Sequence, residues 1–207
     1  MPIDKLYQSA EEALACLKDG DVVGISGFEG HGEPTTLLHG LNQLNLEHLT
    51  LVFDLPIMQY SLGENIISEM CKSGKVDTLI TTNAPQNPQF ENYGSLKKIV
   101  VEVLDRNLIA ERLRVIGAGL GSVEFMRPTA YNKQHEGIRL DVALIKGLQT
   151  DHLGNTIYEG TKRNWSPVMA MAARITIAES DSYVEAGSID PEGIITPGIY
   201  VNRVVCS

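Results

Sequence analysis

Residues 26–34 read Ser26-Gly27-Phe28-Glu29-Gly30-His31-Gly32-Glu33-Pro34. Glycines at 27, 30 and 32 release the backbone for positive φ, and a proline at 34 suits the first position of a helix. A turn of this kind can aim several peptide N–H groups at one point, the arrangement that holds a carboxylate or a developing oxyanion. Glu29 and Glu33 add carboxylates that could serve as nucleophile or general base. Glu33 also fits the simpler role of a favourable charge at the amino end of the following helix. The run is not a dinucleotide fingerprint, because a G-x-G-x-x-G begun at Gly30 requires glycine where Thr35 stands. It also lacks the Gly-Lys-Ser/Thr of a P-loop.

Other polar residues fall where strands should end. Asp54 follows an apolar run, and Thr82 and Asn83 follow another, which makes them pocket candidates or loop caps. Gly117-Ala118-Gly119 could let a ligand or another backbone approach closely, although a helix carboxyl cap accounts for Gly117. Lys162-Arg163-Asn164 is a compact basic pair near a strand end, placed to touch substrate or a partner chain. His31, His39 and His48 lack metal-ligand spacing, so no metal is expected. Cys16, Cys71 and Cys206 are far apart and form no C-x-x-C pair, which predicts reduced, mostly buried thiols.

The elements that must carry these residues alternate. Ser9-Ala10-Glu11-Glu12 is a capping box ahead of Ala13, Leu14 and Leu17, with Gly20 as the left-handed cap. Strands are predicted at 22–25, 49–53, 77–81, 99–104, 142–146, 156–158, 175–178 and 200–205. Helices are predicted from Pro34 through Leu44, at 64–71 with a stop at Gly74, and at 108–115. Ser166-Pro167 reads as an N-cap with proline at N1, and 127–137 as a polar surface loop. The reading is a single α/β domain over 1–207, a largely parallel open sheet with helices on both faces and ligands at the strand carboxyl ends.

With 207 residues, 43% hydrophobic, the chain can bury one sizeable core. Its net charge of −9 argues against nucleic acid or an anionic membrane as the main partner. No run reaches the length of a membrane span, and Met1-Pro2-Ile3-Asp4-Lys5 is neither a signal nor a transit peptide, so a cytoplasmic location is expected.

The segment from Asp19-Gly20 through Val23-Gly24-Ile25 to Ser26-Gly27-Phe28, Gly32 and Pro34 resembles the signature of the alpha-type subunit of the family I coenzyme A transferases. These enzymes act on 3-oxoacids and on short fatty acids such as acetate and butyrate. Later landmarks agree in order: Ile109-Ala110-Glu111-Arg112-Leu113-Arg114 before Gly117-Ala118-Gly119, then Asp141 to Lys146, Asp151-His152-Leu153-Gly154-Asn155, Arg163-Asn164-Trp165-Ser166-Pro167 and Thr196-Pro197-Gly198. The resemblance implies the CoA-transferase (NagB/RpiA-like) fold and an alpha subunit that moves CoA between an acyl-CoA and a carboxylic acid. A glutamyl-CoA thioester would form on the beta subunit, so the nucleophile would lie outside this chain. Ser26, Gly27, Phe28, Glu29, Gly30, His31 and Gly32 would form the CoA, substrate and oxyanion loop. Asp54, Asn83, Gly117 and Gly119 become acyl-pocket candidates. Coenzyme A is then a substrate rather than a resident cofactor, and the assembly with the beta subunit is a heterodimer or heterotetramer.

The chain departs from the family pattern at Gly24 and at Ser26, which replaces the first glycine of the signature. Leu104-Asp105-Arg106 stands where the family has Pro-Gln-Gly, and Pro128-Thr129-Ala130-Tyr131-Asn132-Lys133 where it has Pro-Thr-Gly-x-Gly-Thr; Trp165 replaces a phenylalanine. Those regions line the family's acyl pocket. Two other readings stay open: a diverged, non-catalytic subunit, and a sugar-phosphate isomerase or acyl-CoA hydrolase on the same fold with Glu29, Glu33 or Asp54 as base.

Overall fold

A computed structural model describes residues 4–54, 61–83, 99–125 and 133–207, with backbone alone for 123–125 and 133–134. In chain order the strands are β1 (Val22–Ile25), β2 (Leu49–Phe53), β3 (Val76–Thr81), β4 (Val100–Val103), β5 (Ser122–Phe125), β6 (Lys133–Glu136), β7 (Leu140–Asp151), β8 (Thr156–Ile157), β9 (Ala173–Val184) and β10 (Arg203–Cys206). The main sheet runs β10-β9-β7-β1-β2-β3-β4 with every neighbour parallel, and β8 pairs antiparallel with β7.

Successive residues of a strand point to opposite faces, and both faces here are apolar. Val142 and Leu144 join one buried cluster while Ala143 and Ile145 join the other. The first face is covered by α1 (Ala10–Leu14), α2 (Thr35–Gln43) and α3 (Leu62–Ser73), the second by α4 (Arg106–Gly117) and α5 (Ser166–Ala172). Gly24 in β1 has its side-chain space occupied by Leu140, whose Cδ1 lies 2.4 Å from where a Cβ would stand. The small residue therefore belongs to the packing of β7 against β1.

Local chemistry explains most helix ends. Ser9 caps α1 by accepting from Glu12 N, and Asp105 caps α4 by accepting from Asn107 N. Gly74, at φ 77°, closes α3 in the left-handed region. The first turn of α2 is capped from a distance: Leu37 N and the Thr36 hydroxyl donate to buried Glu179 of β9, whose carboxylate also pairs with Lys146 at 3.1 Å.

Several expectations are corrected. Helix α1 stops at Leu14, so Gly20 is not its cap; its amide donates to Glu47 O in a later turn. Pro34 occupies the N-cap of α2 rather than its first position. Trp165 is the N-cap of α5, and Ser166 lies inside the helix with its side chain buried. The loop expected over 127–137 contains β6, which pairs antiparallel with β5; residues 127–132 lie outside the described residues. Residues 198–200 form a 3-10 turn, leaving β10 to start at Arg203. Strands β7 and β9 run on to Asp151 and Val184, because pairing between them continues through polar residues that carry no hydrophobic signal. Of the cysteines only Cys71 is buried; Cys16 is half-buried and Cys206 exposed.

Candidate active site

Parallel strands deliver their following residues to one edge of the sheet. The glycine turn follows β1, Asp54 follows β2, Thr82-Asn83 follow β3, and Arg106 lies just beyond β4. Strand β1 sits between β2 and β7, where the strand order departs in two directions, the usual place for a ligand crevice.

The turn is a miniature hairpin. Phe28 and His31 exchange two backbone hydrogen bonds of 2.9 Å, and the two residues between them, Glu29 and Gly30, have φ of 49° and 79°. Two consecutive positive φ values match a type I′ turn. Glu29 is thus a non-glycine residue held in the left-handed region, a sign of surrounding constraint. Ser26, fully buried, closes the base by donating its hydroxyl to Gly32 O at 3.0 Å, while Gly30 and His31 are exposed at the tip.

Asn164 clamps the turn from across the site. Its Nδ2 donates to His31 O (2.9 Å) and Lys162 O (3.0 Å), and its Oδ1 accepts from Gly27 N (3.1 Å) and Trp165 N (2.5 Å). Asn164 itself is constrained, with φ 22° and ψ −109°. Gly32, at φ 70°, packs so closely that a Cβ would stand 2.4 Å from Lys162 O. The amides of Gly27, Phe28 and His31 are thereby committed within the protein, contrary to a turn whose whole run of amides faces a ligand. Those of Gly30 and Gly32 have no acceptor among the described residues, and both glycines line a 200 Å³ cavity with Lys146 and Lys162.

On the other side of the turn, buried Asp54 gathers four donor groups. Arg106 Nε and Nη2 donate to its two oxygens at 3.0 and 3.2 Å, Trp165 Nε1 donates at 2.9 Å, and the Thr82 hydroxyl donates to Oδ1. Asn83 Nδ2 in turn donates to the Thr82 oxygen at 3.0 Å. The Arg106 guanidinium lies over the Phe28 ring, 4.8 Å from its centroid. Arg106 and Trp165 then line a 690 Å³ groove together with Phe28, Arg114 and Arg163, with apolar walls at Ala110, Val168 and Ile195.

A third acidic group sits at the start of α3. Glu33 does not serve α2; its Oε2 accepts from Gly63 N at 3.0 Å, so it caps a helix 30 residues further on. Ser61-Leu62-Gly63-Glu64 is a capping box, with Glu64 N donating to Ser61 Oγ at 3.0 Å. Glu64 is buried, and burial, opposed by the Ser61 amide and reinforced by nearby Glu33, raises its pKa to about 7. Glu33 Oε1 and Glu64 Oε2 find no donor among the described residues.

The structure therefore brings Phe28, Asp54 and Asn83 to the groove or to the network behind it. Gly117 and Gly119 lie at the opposite end of α4. Gly117 backs onto Met171, with a Cβ position 2.8 Å from Met171 Cβ, and Gly119 follows the helix at φ 76°. The groove instead meets the first two turns of α4. Ala130, a departure in the acyl-pocket region, lies outside the described residues. Sequence reasoning missed Arg106 as the partner of Asp54 and the capping box at Ser61; the second was legible as S-x-x-E.

A parallel sheet covered on both faces, with a glycine turn after its central strand, defines an α/β architecture with a switch-point site. The profile of the family described as Coenzyme A transferase matches residues 7–207, and the chain belongs to that family. It is similar to the A-type chain of the 3-oxoadipate CoA-transferase of Pseudomonas putida, at 33% identity over 98% of this chain and 94% of that one. The A-type chain of the probable succinyl-CoA:3-ketoacid coenzyme A transferase of Bacillus subtilis is likewise 33% identical, over 97% and 89%. Among solved structures, an acyl-CoA transferase from E. coli O157:H7, crystallised as a thioester complex with CoA, superposes with TM-score 0.83 at 18% identity. The match covers all of this chain and 48% of that one, so this chain spans about half its length. Among the described residues no helix is long and apolar enough to cross a membrane.

Proposed function

We propose that this chain is the alpha-type half of a two-subunit, cytoplasmic CoA-transferase acting on short-chain or 3-oxo acids. The observation that carries this reading is the exposed hairpin after β1, whose Gly30 and Gly32 amides have no acceptor among the described residues. Family membership supports it, as do two relatives whose names give them as A-type chains of two-subunit enzymes.

In this reading a glutamate carboxylate from the beta subunit makes the first attack, on the acyl-CoA carbonyl. The tetrahedral oxyanion collapses with loss of CoA thiolate, leaving a mixed anhydride. The thiolate then attacks the glutamyl carbonyl and releases the first carboxylate, giving the glutamyl-CoA thioester. An acceptor carboxylate reverses the sequence, so one thioester is exchanged for another. The alpha subunit's contribution is electrostatic: preorganised amides of the turn receive charge as it develops, each contributing about 3 to 4 kcal/mol. Asn164, bonded to both ends of the turn, keeps those amides aimed and so acts as a positioning residue.

The test is co-expression with the beta subunit, followed by an assay of CoA exchange among short carboxylates and trapping of the enzyme thioester with borohydride. Exchange and inactivation by borohydride are expected in the complex alone. Full exchange by this chain without a partner would overturn the division of labour. Co-purification of the two chains with no exchange for any tested acid would instead favour a non-catalytic role.

A further inference from the structure

We propose that the outer edge of the Arg106 guanidinium anchors a second carboxylate at the far end of the acyl chain, so that the groove selects dicarboxylic over monocarboxylic acyl groups. This rests on the CoA-transfer reading and specifies the substrate class of the same site.

Arginine is costly to immobilise, and a guanidinium that binds a ligand well is one already held. Arg106 is held on two sides: its inner edge is spent bidentately on Asp54, and one face covers Phe28. Asp54 is itself fixed by Trp165 and Thr82, so the cation cannot swing away without stripping a buried carboxylate. The side chain nevertheless remains 43% exposed. The Nη1 group has no acceptor among the described residues, which leaves the outer Nη1/Nη2 edge in the fork geometry that fits a carboxylate.

The setting matches that edge. Arg163 lines the same groove, is exposed, and has no carboxylate partner among the described residues. Arg114 lines it as well, paired with Glu111. The groove thus carries excess positive charge in a chain of net charge −9. Between these cations the walls are Ala110, Val168 and Ile195, surfaces for methylene groups. Its 690 Å³ falls in the range of small-molecule sites. Gly30 and Gly32 line a different cavity, so a reacting carboxyl group held by their amides does not account for the cations beside Phe28. A single planar edge flanked by apolar walls favours a carboxylate over a phosphate dianion of CoA, which calls for several converging donors.

The test uses Trp165, the chain's one tryptophan, which lines the groove and bonds to Asp54. Its fluorescence in the full chain is titrated with matched pairs, succinate against butyrate and adipate against hexanoate, at constant ionic strength. Diacids are expected to bind roughly 10- to 100-fold more tightly than matched monoacids, the worth of a charge-assisted hydrogen-bond pair. Arg106→Gln should bring that ratio close to one, and Arg106→Lys should restore part of it. Arg163→Gln, which leaves Asp54 untouched, should lower it less and gives the answer if Arg106→Gln does not fold.

In the complex with the beta subunit, Arg106→Gln should raise KM for diacids far more than for monoacids. Equal binding of diacids and monoacids by the wild type, or a ratio unchanged in both Arg106→Gln and Arg163→Gln, overturns the proposal. So does a variant whose loss follows the replacement of CoA by pantetheine rather than the acid, since the edge would then read a phosphate. The titration requires no turnover, so diacid selectivity without CoA exchange would sink the transfer reading and leave the anion site standing.

Discussion

Asp54 and Glu64 are buried to the same degree, 3% and 1% exposed, yet their surroundings differ. Asp54 receives donors on both oxygens from Arg106, Trp165 and Thr82. Glu64 meets the Ser61 amide on one side, keeps Oε2 without a donor among the described residues, and faces Glu33, which also keeps an oxygen unpaired. The first arrangement offsets the cost of burying charge by making the carboxylate the hub of an ion pair. The second does not, and the proton is retained to near-neutral pH. One acid therefore fixes a cation at the groove, while the other stores a proton beside the turn.

The largest test of this contrast is Asp54→Ala. It strands Arg106 and leaves the Trp165 and Thr82 donors without an acceptor, and should cost about 3 to 5 kcal/mol in urea denaturation. A loss below about 1 kcal/mol would show that the hub is decorative. Trp165→Phe removes one charge-assisted donor and keeps an aromatic wall, so a loss of about 1.5 to 3 kcal/mol is expected in the same measurement.

The Glu64 test is one of pH. Its pKa in the fold lies above its ordinary value, so the folded state holds a proton that the unfolded chain releases, and this contribution declines as pH rises from about 4.5 to about 7. Glu64→Gln should flatten the stability profile across that window relative to wild type; parallel profiles would refute the assignment. Glu33→Gln should have the smallest effect, narrowing the window from its upper end, because Glu33 ranks behind burial as a cause.

Legibility followed chain distance. The turn was readable because glycines at 30 and 32 permit the positive φ they adopt, and Asp54 and Asn83 could be placed at strand ends from hydrophobic runs alone. Glu33 was misread as serving the adjacent helix because the amide it actually caps, Gly63, lies 30 positions away. Arg106 stood out as a departure from a family pattern, but nothing near it announced a partner 52 residues earlier. Gly117 looked like room for a ligand and proved to be room for Met171.

What the amino-acid order determined by itself was local and periodic: the caps at Ser9 and Gly74, the two-faced strands and the hinge-like turn. Which donors meet Asp54 was settled by the register of β2, β3 and β4, which aligns Thr50 with Thr78 and Thr78 with Val100. The reason is range. Backbone preferences act over a few residues, whereas a hydrogen bond requires two atoms within about 3 Å, and that proximity exists only once the sheet has set its strands side by side.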